Sequence, residues 1–538
     1  MTPPETAPAP VLEALMQPTP LTIDMVFRRM RDVFFDTPVT DAEGTSTYGD
    51  LAVRIEQLAG ALQAMGIGPG DRVATFGFNS IRHLELYYAV PLVGAVLHTV
   101  NVRLYADQVA WIIRHAQDVA LFYDAELSDT VAGIADELDS VTTWVQMGAG
   151  PLAPGHLDHD EVVAGGVAGP RPELDELSAF GLCYTSGTTG SPKGVLYSHR
   201  GMTLHSFATA MQDHIGLVEA DVVFPVVPMF HAFAWGLAYA APFVGAELVL
   251  HGSDSSPEHI GGLISDHGVT VTAGVPTIWK SLLPAITSGD LDVSSLRLVF
   301  VGGSASPRAL IEAYDDLGIP YLQIWGMTET GPLACASRPR RRHRGLDDDA
   351  LLDVREMTGT IFAGLEARIT DPGGTEVARD GRAVGELEVR GPWIASGYYG
   401  VDAEDRFNDG WLRTGDMATM EPDGYFRIVD RAKDLVKSGG EWISSVELEG
   451  HLLAHPDVAD AAVIGVASAK WDERPVAVIV PVDPSAPPDL ESLREFLADR
   501  VAKWWLPDAI EVVDEIPKTS VGKLDKKVLR DQVDLTLD

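Results

Sequence analysis

The sequence predicts an α/β fold, with a large N-terminal domain of βαβ layers that includes a β-rich subdomain, followed by a small α+β C-terminal domain. Three observations carry this expectation. From about residue 48 to 360, helical patterns alternate with short β-branched runs. From Gly359 to Val429 the apolar period shortens to two between glycine turns, and after Asp430 helix, strand and helix patterns return.

In chain order, YGDLAVRIEQLAGALQAMG from Tyr48 reads as a helix, and DRVATFGF, VTVTAGV and LRLVFVGG read as strands. Strands separated by helices imply βαβ units and a mostly parallel sheet. Between TIFAGLEARIT, GELEVRG and GYFRIVD lie the turn signals DPGG, RDG, NDG and PDG, which predict an antiparallel β-rich subdomain over about 359–429. The break at Asp430 to Lys433 sets the expected boundary between an N-terminal domain, 1–430, and a C-terminal domain, 431–538.

Charge narrows the function classes. Forty Lys plus Arg stand against 78 Asp plus Glu in 538 residues, a formal charge of −38 that repels nucleic-acid phosphates and anionic lipid. Nucleic-acid binding is therefore not expected, and an anionic ligand must be held locally. The ten lysines fall at or after Lys193, and six of them lie after Lys437. Cys183 and Cys335 have no metal-ligand spacing and read as reduced packing residues in a cytoplasmic protein. The N-terminus has no basic region before an apolar run, and Ala232 to Ala246 is broken by Gly and Pro and falls short of the ~20 residues a membrane span needs, so no integral membrane association is expected. The stretch Arg338 to Asp349 reads as a solvated loop.

The segment most charged with chemistry is Tyr184-Thr185-Ser186-Gly187-Thr188-Thr189-Gly190-Ser191-Pro192-Lys193-Gly194, after the apolar run FGLCY. Its glycines and hydroxyls supply donors that can wrap a polyphosphate, with Lys193 as counter-charge. It is not a Walker A loop, because the lysine stands between proline and glycine. In WGMTETG, Glu329 is a carboxylate beside a hydroxyl and glycines, suited to a hydrated Mg²⁺, although Thr328-Glu329 could equally cap a helix. Asp416 follows Thr414-Gly415 in what reads as a turn, where its carboxylate could accept both hydroxyls of a ribose or simply cap the turn.

YTSGTTGSPKGV resembles the AMP-binding signature of the acyl-adenylate-forming enzymes. The resemblance continues in register through Pro228-Met229-Phe230-His231, Gly302-Gly303-Ser304, Trp325-Gly326-Met327-Thr328-Glu329, WLRTGD to Asp416, Asp430 to Gly440, and Lys518 to Lys523. It implies an ATP-dependent ligase with a mobile C-terminal domain: a carboxylate attacks the α-phosphate of ATP, pyrophosphate leaves, and the thiol of coenzyme A then displaces AMP. It further implies Mg²⁺ at Thr185 and Glu329, adenine beside Trp325, ribose at Asp416 and Arg431, and a hinge at Lys433. Lys437 and the turn Gly439-Gly440-Glu441-Trp442 are implied to lie beside the pantetheine arm, and Lys523 to be the catalytic cation, with Lys526 and Lys527 on an exposed helix face. Glu329, His231 and Lys193 are the other candidate catalytic groups, and His231, Trp235, Gly302, Gly303 and Trp325 the candidate acid-binding ones. Enzymes that load amino acids onto carriers place aspartate where His231 stands, so the acid is expected to carry no charge beyond its carboxylate. Trp235 matches the gate tryptophan of bacterial long-chain fatty acyl-CoA synthetases, and the expected acid is a medium- or long-chain fatty acid. A small thioether acid such as methylmercaptopropionate, or an aryl acid, is the alternative. Less favoured are a carrier-loading adenylation enzyme and a non-catalytic nucleotide-binding relative. Monomer and homodimer are both open.

Overall fold

Four sheets organise the computed structural model, which describes residues 16–185, 192–438, 441–468, 470–518 and 524–533. The first has seven strands. Arg72–Phe76, Val96–Thr99, Ala120–Asp124, Thr143–Met147 and Ala179–Tyr184 run parallel in it, and Gly194–Ser198 returns antiparallel beside Ala179–Tyr184. The second has nine strands. Its parallel centre runs through Glu247–Val249, Val222–Pro225, Val271–Gly274, Leu298–Val301 and Tyr321–Gly326. Leu298–Val301 is buried at every residue, as expected where helices cover both faces of a parallel sheet.

A shared helical layer joins the two sheets. One continuous apolar core contains Val73, Leu97 and Phe180 from the first sheet and Leu248, Ala273 and Phe300 from the second. The helices Ile81–Leu92 and Leu237–Val244 cross within it: the Tyr88 hydroxyl donates to the Ala238 carbonyl at 2.8 Å, and Tyr239 donates to Tyr87 at 3.1 Å. The predicted helix is Tyr48–Ala64, started by Thr47, whose hydroxyl accepts the Asp50 amide.

The antiparallel β-rich sheet contains Glu366–Thr370, Gly385–Arg390, Phe407–Asn408, Trp411–Met420 and Phe426–Arg431. Along Trp411–Met420, Thr414, Asp416, Ala418 and Met420 face inward by the two-residue period. Asp416 therefore lies inside a strand rather than in the turn expected from its Thr-Gly neighbours, and the strand register aims it at the core. The stretch from Arg338 is also more structured than a solvated loop. Arg338 donates to the carbonyls of His214 and Ile215, Arg342 pairs with Asp423 at 2.9 Å, and Asp348–Glu356 is a helix.

The fourth sheet pairs Val458–Ser468 with Asp472–Pro481. Val463, Ala477 and Ile479 belong to one apolar cluster and Ala462, Ile464, Val476 and Val478 to another, so both faces of this pair are covered. The last helix, Lys526–Gln532, packs on Val458–Ser468. Lys527 is exposed, but Lys526 corrects the expectation: only 8% exposed, its ammonium lies 2.6 Å from the Glu449 carboxylate, an ion pair that makes its burial tolerable. Among the described residues no helix is long and apolar enough to cross a membrane.

Candidate active site

The strand Ala179–Tyr184 delivers Thr185 to the neck of the glycine-rich loop, and Gly194–Ser198 carries the chain back. Two hydrogen bonds close the neck. The Thr185 amide donates to the Lys193 carbonyl at 2.9 Å, and the Lys193 amide donates to Thr185 Oγ1 at 3.3 Å. Ser186, Gly187, Thr188, Thr189, Gly190 and Ser191 lie outside the described residues. Just before the neck, the Tyr184 hydroxyl pairs with His115 Nδ1 at 2.6 Å. Burial pushes the Cys183 thiol up to about 11, so it is a packing group that accepts the Ala232 amide at 3.4 Å.

Lys193 reaches out over Tyr398, its ammonium 4.9 Å from the ring centroid. The Tyr398 hydroxyl donates to Glu329 Oε1 at 2.7 Å, and burial, followed by the Glu329 charge, raises the phenol above its ordinary value. Glu329 is buried in the short turn Thr328–Thr330, whose geometry is held from three sides. Tyr197 donates to the Thr328 carbonyl at 2.6 Å, the Ala395 amide donates to the Glu329 carbonyl at 2.8 Å, and the Met327 amide donates to Thr330 Oγ1 at 2.7 Å. Gly326 is required at the approach to this turn, since a Cβ there would stand 2.0 Å from the Pro332 carbonyl oxygen.

The strand Tyr321–Gly326 also positions Trp325, which is 8% exposed and donates through Nε1 to Asp416 Oδ2 at 3.0 Å. The other Asp416 oxygen is 2.6 Å from Arg431 Nε. Asp416 and Arg431 are cross-strand neighbours in register, so the pair is set by the sheet, with the carboxylate buried and the arginine half-exposed. Gly302, Gly303 and Ser304 follow the parallel strand Leu298–Val301, adjacent to Tyr321–Gly326.

His231 lies with Thr185, Phe230 and Tyr184 around a cavity of about 10 Å³, room for one water. The next four residues, Ala232, Phe233, Ala234 and Trp235, have φ of 44°, 53°, 50° and 54°. This is one left-handed turn made without glycine. The right-handed helix begins only at Leu237, so the first half of the apolar stretch is not the buried helix its composition allows. Trp235 is buried, 6.4 Å ring to ring from Phe300.

The described candidates that remain follow Arg431 in the chain. Lys437 and Trp442 pair across a hairpin, the Lys437 ammonium 5.9 Å from the indole and 3.6 Å from the Asp472 carboxylate. Lys433 follows Arg431 after a turn, and burial lowers its ammonium's pKa. Gly439, Gly440, Lys523 and the Glu441 side chain lie outside the described residues.

Mg²⁺ can be tested against the donor set. Among the described residues no group of three or more His, Cys, Asp or Glu could hold a metal by itself. A single buried carboxylate such as Glu329 instead suits a hard cation that draws its other ligands from phosphate oxygens and water. Tyr398 and Tyr197 were not legible as site residues, since neither stands in a segment whose composition signals a ligand.

The AMP-binding enzyme family model matches residues 27–399, and the model of the AMP-binding enzyme C-terminal domain matches 447–523. The chain is 46% identical to a long-chain-fatty-acid–CoA ligase of Thermus thermophilus, covering 90% of each protein. It is 44% identical to a 3-methylmercaptopropionyl-CoA ligase of Ruegeria lacuscaerulensis, covering 92% of this chain and 93% of that protein. It is 42% identical to a medium-chain-fatty-acid–CoA ligase of Ectopseudomonas oleovorans, covering 90% of each. Among solved structures, an anthranilate CoA ligase in complex with anthranoyl-AMP superposes with a TM-score of 0.88 at 25% identity, over 96% of this chain and 98% of that one.

Proposed function

Because the chain belongs to the AMP-binding enzyme family and is an AMP-forming acid–thiol ligase that uses ATP and coenzyme A, we propose that its acid is a medium- or long-chain fatty acid, joined to coenzyme A through an acyl-AMP. The observation that carries the residue assignment is a pair of contact groups at the two ends of the segment Trp325–Glu329. Lys193, Tyr398 and Glu329 are joined on one side, and Trp325, Asp416 and Arg431 on the other.

In this reading the glycine-rich loop with Lys193 wraps the polyphosphate, Trp325 flanks the adenine, and Asp416 with Arg431 binds the ribose. Glu329 and Thr185 would hold Mg²⁺, which when bound offsets phosphate charge. His231 and the Gly302-Gly303 turn border the acid carboxylate. Attack of one anion on another needs preorganised cations, and Lys523 supplies the second one at the α-phosphate. No enzyme nucleophile is required. Rotation of residues 431–538 about Lys433 then exchanges Lys523 for the segment with Lys437, Gly439, Gly440, Glu441 and Trp442, along which the pantetheine thiol reaches the acyl carbon. We place the enzyme in the cytoplasm and leave a homodimer among the assemblies to be tested.

The apolar stretch from Ala232 with Trp235 against Phe300 supports a long acid. A second reading, a ligase for a small thioether acid, is favoured by the resemblance to the methylmercaptopropionyl-CoA ligase. Carboxylic acids from C2 to C18 together with methylmercaptopropionate, assayed for coenzyme A-dependent AMP release, separate the two. A maximum at eight carbons or more supports the fatty-acid reading, and a maximum on the thioether acid replaces it.

A further inference from the structure

We propose that His205 is a positioning residue for Glu329. From the helix His199–Ala210 its imidazole accepts the Leu333 amide, and so fixes the returning leg of the hairpin on whose connection Glu329 stands. The proposal rests on the reading of Glu329 as the metal-binding carboxylate given above.

The strands Tyr321–Gly326 and Leu333–Ala336 run antiparallel with Gly326 opposite Leu333, so residues 327–332 connect them and carry Glu329. Inside the connection, the Met327 amide donates to Thr330 Oγ1 at 2.7 Å, and the Thr330 hydroxyl donates to the Pro332 carbonyl at 2.8 Å. These bonds make 327–332 one compact unit, whose place is set where it joins the rest of the molecule. Leu333 is the joint on the returning side and is held at both backbone groups. Its amide donates to His205 Nε2 at 3.2 Å, and its carbonyl accepts Trp393 Nε1 at 3.2 Å. The Trp393 ring stands edge-on to the imidazole, 6.3 Å between centroids.

His205 is fully buried, and burial, ahead of the charge of His214, drives its pKa down to about 3. The ring is therefore neutral at working pH and can accept. Because the Leu333 N–H points at Nε2, the ring proton belongs on Nδ1, which lies 3.5 Å from Thr209 Oγ1. Gly236 admits the ring, since a Cβ there would stand 2.6 Å from it. Leu333 is itself only 2% exposed, so loss of Nε2 would leave its amide without water or acceptor. The connection can relieve that cost only by moving, and Glu329 moves with it. Mg²⁺ tolerates little distortion of its octahedron, so a small shift of one carboxylate weakens the site.

The test uses the full-length chain with His205→Leu, His205→Asn and His205→Gln. It follows hydrogen exchange over 327–333 without ligand, the Mg²⁺ concentration for half-maximal adenylation, thioester formation from supplied acyl-AMP, and the thermal midpoint. His205→Leu has no acceptor, and His205→Asn is too short to reach the Leu333 amide. Each is expected to speed exchange over 327–333 ~10-fold and raise the half-maximal Mg²⁺ ~10-fold, with thioester formation within ~3-fold of wild type. His205→Asn stands in if the apolar variant fails to fold. His205→Gln, whose side-chain oxygen reaches about as far as Nε2, is expected to bring exchange and Mg²⁺ dependence back to within ~3-fold of wild type. In a Glu329→Gln background, the same His205 substitutions are expected to add nothing further to the Mg²⁺ titration. The proposal is overturned by unchanged exchange or an unchanged Mg²⁺ titration, by His205→Gln being as impaired as His205→Leu, by equal loss of both half-reactions tracking the thermal midpoint, or by a full additional effect in the Glu329→Gln background. Wild type that forms no acyl-AMP with any acid in the panel, or Glu329→Gln with the wild-type Mg²⁺ titration, would instead overturn the reading beneath it before any His205 variant is compared.

Discussion

On the proposed nucleotide side, separate strands and a turn each contribute one polar group, and hydrogen bonds lock them: Tyr398 to Glu329, Trp325 to Asp416, Arg431 to Asp416. On the proposed acyl side, four consecutive residues hold a left-handed backbone and carry only apolar side chains. The left-handed conformation costs about 1–2 kcal/mol per residue, so the turn stores several kcal/mol. Packing must offset it. Phe233 supplies much of that packing, with ring centroids 4.9 Å from Tyr197, 5.4 Å from Phe180 and 5.8 Å from Tyr87. Gly181 leaves the room, for a Cβ there would stand 2.5 Å from the Phe233 ring. One half of the site is thus specified by side-chain chemistry and the other by backbone shape imposed from its surroundings.

If that contrast is right, the largest losses come from single polar atoms on the nucleotide side. Glu329→Gln keeps the shape and removes the charge. Adenylation is expected to fall ~10²-fold or more, and the Mg²⁺ concentration for half-maximal rate to rise. An unchanged metal titration would reduce Glu329 to a structural role.

On the acyl side, Trp235→Ala is expected to act on selectivity. Each buried methylene is worth about 0.8 kcal/mol, so opening three carbons' worth of space shifts relative kcat/KM across acid lengths by tens-fold. A tryptophan with no pocket role would only destabilise, by about 3–5 kcal/mol. Length profile and thermal midpoint measured on the same variant distinguish these. A destabilised enzyme with an unaltered profile would move the acid pocket elsewhere.

Tyr398→Phe should cost less than Glu329→Gln, because the ring under Lys193 remains while one hydrogen bond to a carboxylate is lost. A drop of ~10-fold in adenylation, without a change in acid preference, is expected. A changed acid preference would mean that the two halves of the site are not independent.

The same contrast explains what could be read in advance. The helix at Tyr48, the strands around Val73, Val271 and Leu298, and the period-two strands after Gly359 follow from periodicity, because burial of a face repeats along the chain. Thr185, Lys193, Glu329, Asp416 and Arg431 stand out because the phosphate and ribose chemistry proposed for them restricts residue type. Thr-Gly-Asp has turn composition, and only pairing with Arg431 across the sheet puts Asp416 in a strand. Lys526 was misplaced because its neighbour Lys527 is an ordinary exposed lysine, and its partner Glu449 stands far off in sequence. The left-handed turn has no sequence signature at all. No residue from Ala232 to Trp235 favours positive φ, and the conformation arises from the tertiary contacts of Phe233.

That last point yields the smallest expected effect. Ala234 and Ala240 are both fully buried, but Ala234 sits in the left-handed turn and Ala240 in the right-handed helix Leu237–Val244. Ala240→Gly loses a methyl worth about 0.8 kcal/mol and helix propensity worth about 1 kcal/mol, and so should destabilise by about 2 kcal/mol. Ala234→Gly loses the same methyl and gains chain entropy in the unfolded state, but it relieves about 1–2 kcal/mol of left-handed strain, leaving a net change near zero. The two variants are compared by the shift in apparent denaturant midpoint, since a chain with several cores need not unfold in one step. If Ala234→Gly costs as much as Ala240→Gly, the turn holds no strain and the acyl side is shaped by side chains after all.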